Sequence, residues 1–171
     1  MEINYIDKLQ QCDIVFVYNK KSWLHRLICY FSGKKPYKVG HVFVYMYGDM
    51  MIEANMQGVH IKTLKKYDDT KERLYIGRYE AITPEQKLKI FDACNQYNND
   101  KYSYFQLILF MFGYIFKWNH VPEADKKAVV CSELAADLFL KANVNLCYGK
   151  EPWEVSPHDL VDSPLLKIIT I

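Results

Sequence analysis

Gly40-His41-Val42-Phe43-Val44-Tyr45 is the stretch whose reading decides the fold. It sets an ionisable imidazole at the mouth of an apolar, β-branched run, the composition of a buried strand. Twelve residues after the histidine comes Glu53, inside Met50-Met51-Ile52-Glu53-Ala54, which reads as the return strand of a hairpin. A carboxylate in so apolar a strand is costly to bury without a partner. Either Glu53 faces solvent or something charged or hydrogen-bonding waits for it.

Whether His41 is that partner depends on one residue of turn. A two-residue loop at Gly48-Asp49 pairs Tyr47 with Met50 and sets Glu53 opposite Val44. That is the wrong face, because strand side chains alternate with period two. A three-residue loop, Tyr47-Gly48-Asp49, pairs Met46 with Met50 and sets Glu53 opposite Phe43. His41 and Glu53 then become diagonal neighbours on one face, with Cα atoms roughly 7–8 Å apart. An active-site reading of this hairpin requires the longer loop.

Far downstream, Val129-Val130-Cys131-Ser132-Glu133-Leu134 opens a helical segment with a thiol in its first turn. A lone cysteine is ordinarily a small core hydrophobe. At a helix start, however, the amides and dipole stabilise a thiolate and offer N–H groups to an oxyanion. Cys12 opens a strand, Cys29 and Cys94 lie within helical segments and Cys147 in a loop, so none has that context. His25, His60, His120 and His158 lack an equivalent acidic partner, although His120 or His158 could line a cleft. A Cys, a His and a Glu from two separate elements are the parts of a nucleophilic cysteine site.

Composition bounds the rest. The 171 residues, half of them hydrophobic, can bury one proper core, and 1–171 reads as a single domain. A formal charge of +2 is too small to argue for nucleic acid. Lys34, Lys35, Lys38, Lys62, Lys65 and Lys66 make the first half locally basic, as a solvated rim or as a surface for an anionic substrate or membrane. The five cysteines are odd in number and show no zinc spacing, so free thiols in a reducing compartment are expected, with no metal or other cofactor. The amino terminus lacks the basic-then-apolar pattern of a secretory signal. Leu107 to Phe116 is too short to span a bilayer, which takes about 20 residues. It reads as a buried helix, with a cleft wall or peripheral membrane contact as alternatives. A cytoplasmic protein is expected.

In chain order, Asp13 to Tyr18 is a strand and Lys21 to Phe31 a helix ended by Gly33. After the hairpin come strands at Val59 to Leu64 and Leu74 to Tyr79. Thr83-Pro84-Glu85-Gln86 starts a helix to about Tyr97, with a Thr cap, proline at the first position and acid in the first turn. A helix from near Ser103 to about Trp118 follows, then the Cys131 helix to near Ala142. A short turn of helix capped by Ser156 and a last strand, Leu166 to Ile171, complete the chain. Strands mostly first and helices afterwards argue α+β with a mainly antiparallel sheet.

These pieces, in this order, resemble the circularly permuted, papain-fold cysteine hydrolases related to the NlpC-type amidases, in particular the YiiX/YaeF/YebB-like branch. The resemblance rests on Asp13-Ile14-Val15-Phe16, His41-Val42-Phe43-Val44-Tyr45, Ile52-Glu53-Ala54 and Tyr102-Ser103-Tyr104. Cys131-Ser132-Glu133-Leu134 and Ser156-Pro157-His158-Asp159-Leu160 with Ser163-Pro164 complete it. It implies a permuted papain-like fold, an antiparallel sheet or barrel packed against a helical bundle. It implies Cys131 as nucleophile, His41 as general base and then acid, and Glu53 as the group orienting the imidazole. Tyr102, Tyr104 and Ser132 would line the substrate site. Gly40 stands where the family often has Ser, and Cys12 where it often has Gly.

The implied activity is an amidase or peptidase acting through an acyl-enzyme. The related lecithin:retinol acyltransferase-like branch keeps the same residue order and offers the alternative of acyl transfer or hydrolysis on a lipid ester. A binding module with a silent site is the non-enzymatic alternative.

Overall fold

The computed structural model describes residues 5–31, 37–67, 73–103, 105, 106, 108, 109, 113, 120, 122, 123 and 128–171. Its sheet is built from β1 (Ile14–Tyr18), β2 (His41–Tyr47), β3 (Met50–Asn55), β4 (Gly58–Thr63) and β5 (Arg73–Arg78). Two short strands, β6 (Lys101–Tyr102) and β7 (Ala128–Val129), pair in parallel with each other. The last strand, β8 (Lys167–Thr170), returns to the main sheet beside β5. The order is β4-β3-β2-β1-β5-β8, antiparallel throughout. Of the sheet-or-barrel alternatives, this is the open sheet: β4 and β8 are its two ends and do not pair with each other.

All five residues of β1 are buried, as befits a strand covered on both faces. Ile14 and Phe16 enter the larger core, Val15 and Val17 a smaller one with Phe43, Tyr45, Met51, Leu64 and Tyr67. Helices among the described residues include α1 (Trp23–Phe31), α2 (Pro84–Tyr97), α3 (Cys131–Lys141) and the single turn α4 (Pro157–Val161). The larger core brings Leu134, Leu138 and Phe139 of α3 together with Val42 and Val44 of β2 and Ile52 and Ala54 of β3. A Phe or Leu truncated to Ala in such a core costs roughly 2–5 kcal/mol, so α3 is fixed firmly over the start of the hairpin. Ile90, Ala93 and Cys94 of α2 join the same core, and the Tyr97 hydroxyl hydrogen-bonds Asp137 of α3.

The Thr83 cap forms as the sequence predicts. Its hydroxyl accepts from Gln86 N and Gln86 Oε1 accepts from Thr83 N, at 3.2 and 2.9 Å, a reciprocal box. Ser156 and Asp159 repeat the device at α4. Cys12 lies at φ +69°, in the left-handed region that glycine occupies most easily. The position is therefore one where a family preference for Gly has a backbone reason, and this chain fills it with a buried thiol.

The hairpin corrects the turn and keeps the register. Tyr47 pairs with Met50, so the loop is the two residues Gly48-Asp49, with Gly48 at φ +61°. This is the glycine-first arrangement favoured by tight hairpins. The register then shifts between Tyr45 and Tyr47, and Tyr45 pairs with Met51 and Val44 with Ile52. Met46 is thus the extra residue of a β-bulge. One step further along that register, Glu53 falls level with Phe43, on the face of His41. The residue assigned to the turn sits one position earlier, within the strand.

Among the described residues no helix is long and apolar enough to cross a membrane. Most of the run 107–116 lies outside the described residues; residues 108, 109 and 113 are helical, and Ile108 is exposed.

Candidate active site

His41 is the first residue of β2, level with Val17 of β1. Its position at a strand end, rather than mid-strand, lets the ring meet groups arriving from outside the sheet. The residue before it has no room for a side chain: a Cβ on Gly40 would lie 2.3 Å from Cβ of His25. α1 therefore presses directly on the entry to the strand. His25 rides in with it, its ring stacked on that of His41 at 6.3 Å between centroids and 23° between planes. Nδ1 of His25 accepts from the backbone N–H of Asn19 at 3.0 Å, which leaves the other nitrogen to carry the proton of the neutral ring.

Glu53 is fully buried, and its carboxylate is well supplied with partners. Oε2 lies 3.1 Å from Nε2 of His41 and accepts from the Tyr67 hydroxyl at 2.7 Å. Oε1 accepts from Nδ2 of Asn55 at 2.5 Å and has Nζ of Lys62 3.9 Å away. Such a set offsets the desolvation of a buried charge.

Cys131 opens α3 and is buried. Its sulfur is hydrogen-bonded to His41 and to the backbone N–H groups of Val42 and Ser132. With Nε2 of His41 on Glu53, Nδ1 is the nitrogen left for the sulfur. Burial opposes ionisation of the thiol, but the charge and hydrogen bond of His41, then the two amides, outweigh it and hold the thiol below its usual range. Burial likewise disfavours the imidazolium; Cys131 and then Glu53 outweigh that and raise His41 to about 9. The arrangement favours a thiolate–imidazolium pair at neutral pH. No other cysteine shares it. Burial pushes Cys12 and Cys94 up to about 12 and Cys147 to about 11, and raises Cys29.

In the first turn of α3, Glu133 folds back so that Oε2 accepts from the Val130 N–H at 3.2 Å. Desolvation lifts this carboxyl to about 7, partly countered by that hydrogen bond.

Of the three residues expected to line the site, Ser132 is buried and contributes its backbone amide to the sulfur. Tyr102 is partly buried on β6 and packs against the larger core, and Tyr104 lies outside the described residues. Sequence reasoning gave His120 no acidic partner, yet its Nδ1 lies 2.9 Å from Oε1 of Glu154. That pair is 34 residues apart and has no periodic signature. Sequence reasoning also set His25 aside and did not single out Asn55 or Tyr67. Asn55 was within reach, since two residues beyond Glu53 is the same strand face. For His25 the signal was the missing side chain at residue 40.

No described family profile matches the chain. It is 28% identical, over 147 residues, to a curated protein of Escherichia coli (strain K12) described as "Probable lipoprotein peptidase YaeF". The match covers 72% of this chain and 53% of that protein, so the chain spans about half the length of its curated relative. Among solved structures, metalloprotein yiiX from Escherichia coli O157:H7 matches with a TM-score of 0.66 over 94% of this chain and 96% of that one. The identity there is 16%, and the likeness shows the fold. Among the described residues of this chain, no group of three or more His, Cys, Asp or Glu side chains is placed to hold a metal ion.

Proposed function

Starting from the chain's place in the YiiX/YaeF-like branch, we propose that it is a cysteine hydrolase that cleaves amide bonds, an amidase or peptidase acting as one domain. One observation carries the reading: His41 lies between the carboxylate of Glu53, 3.1 Å from Nε2, and the thiol of Cys131 on its other side. The name of the curated relative supports a peptide substrate.

In this mechanism the Cys131 thiolate attacks the carbonyl carbon and forms a C–S bond, and the carbonyl oxygen takes the negative charge. First-turn amides of α3, that of Cys131 first among them, stabilise this oxyanion; losing one such donor typically costs about 3–4 kcal/mol. The His41 imidazolium gives its proton to the leaving nitrogen as the C–N bond breaks. Neutral His41 then takes a proton from water as the water attacks the thioester, and the C–S bond breaks. Thiolate and imidazolium are restored, with one water consumed. Glu53 holds the ring in the orientation that keeps Nδ1 on the sulfur and stabilises its charged form, the logic of other triads.

A broad cysteine-directed activity probe tests the reading. The wild-type chain should be labelled at Cys131 and should release amine from acylated peptide amides, and Cys131→Ala should do neither. Equal turnover by Cys131→Ala would overturn the proposal. Fatty-acid release from a lipid ester, with no cleavage of peptide amides, would replace it with the lipid acyl hydrolase alternative.

A further inference from the structure

α1 is apolar nearly all round, and leaves an apolar face to water. Its inner side carries His25, stacked on His41, and Cys29, whose sulfur donates to the Val39 carbonyl at 3.3 Å. Its outer side carries Trp23, Arg26, Leu27 and Tyr30, at spacings i, i+3, i+4 and i+7, which place all four on one helical face. A surface helix ordinarily shows water its polar side. Here Trp23 is 71% and Tyr30 80% exposed, the two aromatic rings flanking an exposed arginine. Between this face and Lys38, which lies 5.9 Å over the Tyr18 ring, runs a groove of about 690 Å³.

Charge is concentrated in the same stretch of the sequence. Residues 19–41 contain six Lys and Arg and no Asp or Glu, although Lys34 and Lys35 lie outside the described residues. With a formal total of +2, the remainder of the chain carries −4. So uneven a distribution complements an anionic partner. Exposed Trp and Tyr beside Arg and Lys are the side chains that settle at a lipid headgroup boundary, with rings in the interface and cations reaching the phosphates.

We propose that the outer face of α1, with Lys38 at its edge, is a docking surface for an anionic membrane. Docking there sets His41, one helix diameter behind the face, close to the lipid surface, so that substrates held at a membrane reach the site without leaving it. This extends the hydrolase reading but does not depend on it, because the surface contains none of the three reacting groups.

Binding is therefore measured on the 171-residue chain carrying Cys131→Ala, by co-sedimentation with phosphatidylcholine vesicles with and without phosphatidylserine, at low and high salt. The expected result is binding to the phosphatidylserine vesicles at low salt that falls at high salt. Trp23→Ala with Tyr30→Ala should weaken it about tenfold, and Arg26→Ala about fivefold, with circular dichroism unchanged. The proposal is overturned if phosphatidylserine vesicles do not bind the chain, or if they bind it equally well with and without the variants. Tighter binding to single-stranded RNA than to vesicles would overturn it too. So would a dimer in sedimentation velocity that Trp23→Ala with Tyr30→Ala converts to monomer.

Discussion

Tyr67 donates its hydroxyl over 2.7 Å to the same carboxylate oxygen of Glu53 that faces Nε2 of His41. Two groups thus share one lone-pair-bearing atom, and the phenol decides how much of that oxygen's charge is left for the imidazole. Tyr67→Phe should leave the fold intact and lower stability by about 1–2 kcal/mol. Turnover should fall roughly threefold to tenfold, because the carboxylate loses one of the contacts that fix its position. Glu53→Gln is the more severe change: it removes the charge that favours imidazolium, and kcat/KM should drop about a hundredfold or more. Steady-state kinetics with a circular dichroism control checks both. An unchanged rate in Glu53→Gln would remove Glu53 from the mechanism.

Thiol reactivity should separate the cysteines by pH. Cys131 is held below its ordinary range, while Cys12 and Cys94 are pushed to about 12. Iodoacetamide at pH 6, read by peptide mass spectrometry, should therefore modify Cys131 well ahead of Cys12 and Cys94. Turnover that needs the imidazolium should fall as pH rises through about 9, where His41 loses its proton. Equal labelling of the three cysteines at pH 6 would refute the activated thiolate.

Glu133 gives stability an unusual slope. Its carboxyl is raised from an ordinary value of 4.5 to about 7 in the folded chain. Between those values the unfolded chain releases a proton that the folded chain keeps, so this group lowers stability as pH rises. The loss amounts to at most about 3 kcal/mol and is complete above pH 7. Glu133→Gln keeps an acceptor for the Val130 N–H and cannot ionise. Urea denaturation should show the variant gaining on the wild type between pH 5 and pH 8; a constant difference would place the titration elsewhere.

Gly40→Ser restores the residue that the resembled family often carries, and here it should be harmful. Its Cβ would meet His25 Cβ at 2.3 Å and His25 Cα at 2.5 Å, so α1 must move. Overpacking of this kind costs roughly 1–3 kcal/mol, visible as a lower Tm. The His25 ring should also leave its stack on His41, which the imidazole proton signals would report. A variant with wild-type Tm and wild-type His41 shifts would contradict the close approach of helix and strand.

What could be read from the sequence follows the range of each interaction. His41 and Glu53 were paired correctly because period-two alternation ties residues twelve apart in one hairpin. Cys131 stood out because a helix start is a local signal, and Thr83 and Ser156 because capping is too. The turn was misassigned for a physical reason: loop length and bulge contribute the same extra residue, and only coordinates tell which. Tyr67 reaches Glu53 from beyond β4, and His25 reaches His41 from a helix packed by tertiary contact. Neither distance has a periodicity to betray it. Gly40 came closest, since an absent side chain marks the place where another element must pass.

The bulged Met46 has a consequence for how this hairpin can vary among related chains. Side-chain parity at Glu53 is counted from the bulge, so deleting Met46 while the two-residue loop is kept would rotate the acid out of reach and drive a charge into the aliphatic layer beneath α3. Changes of two residues preserve parity and shift only the reach along the strand. The loop at Gly48-Asp49, by contrast, can lengthen by any number of residues without changing which residue faces Glu53, as long as the strand pairing is kept.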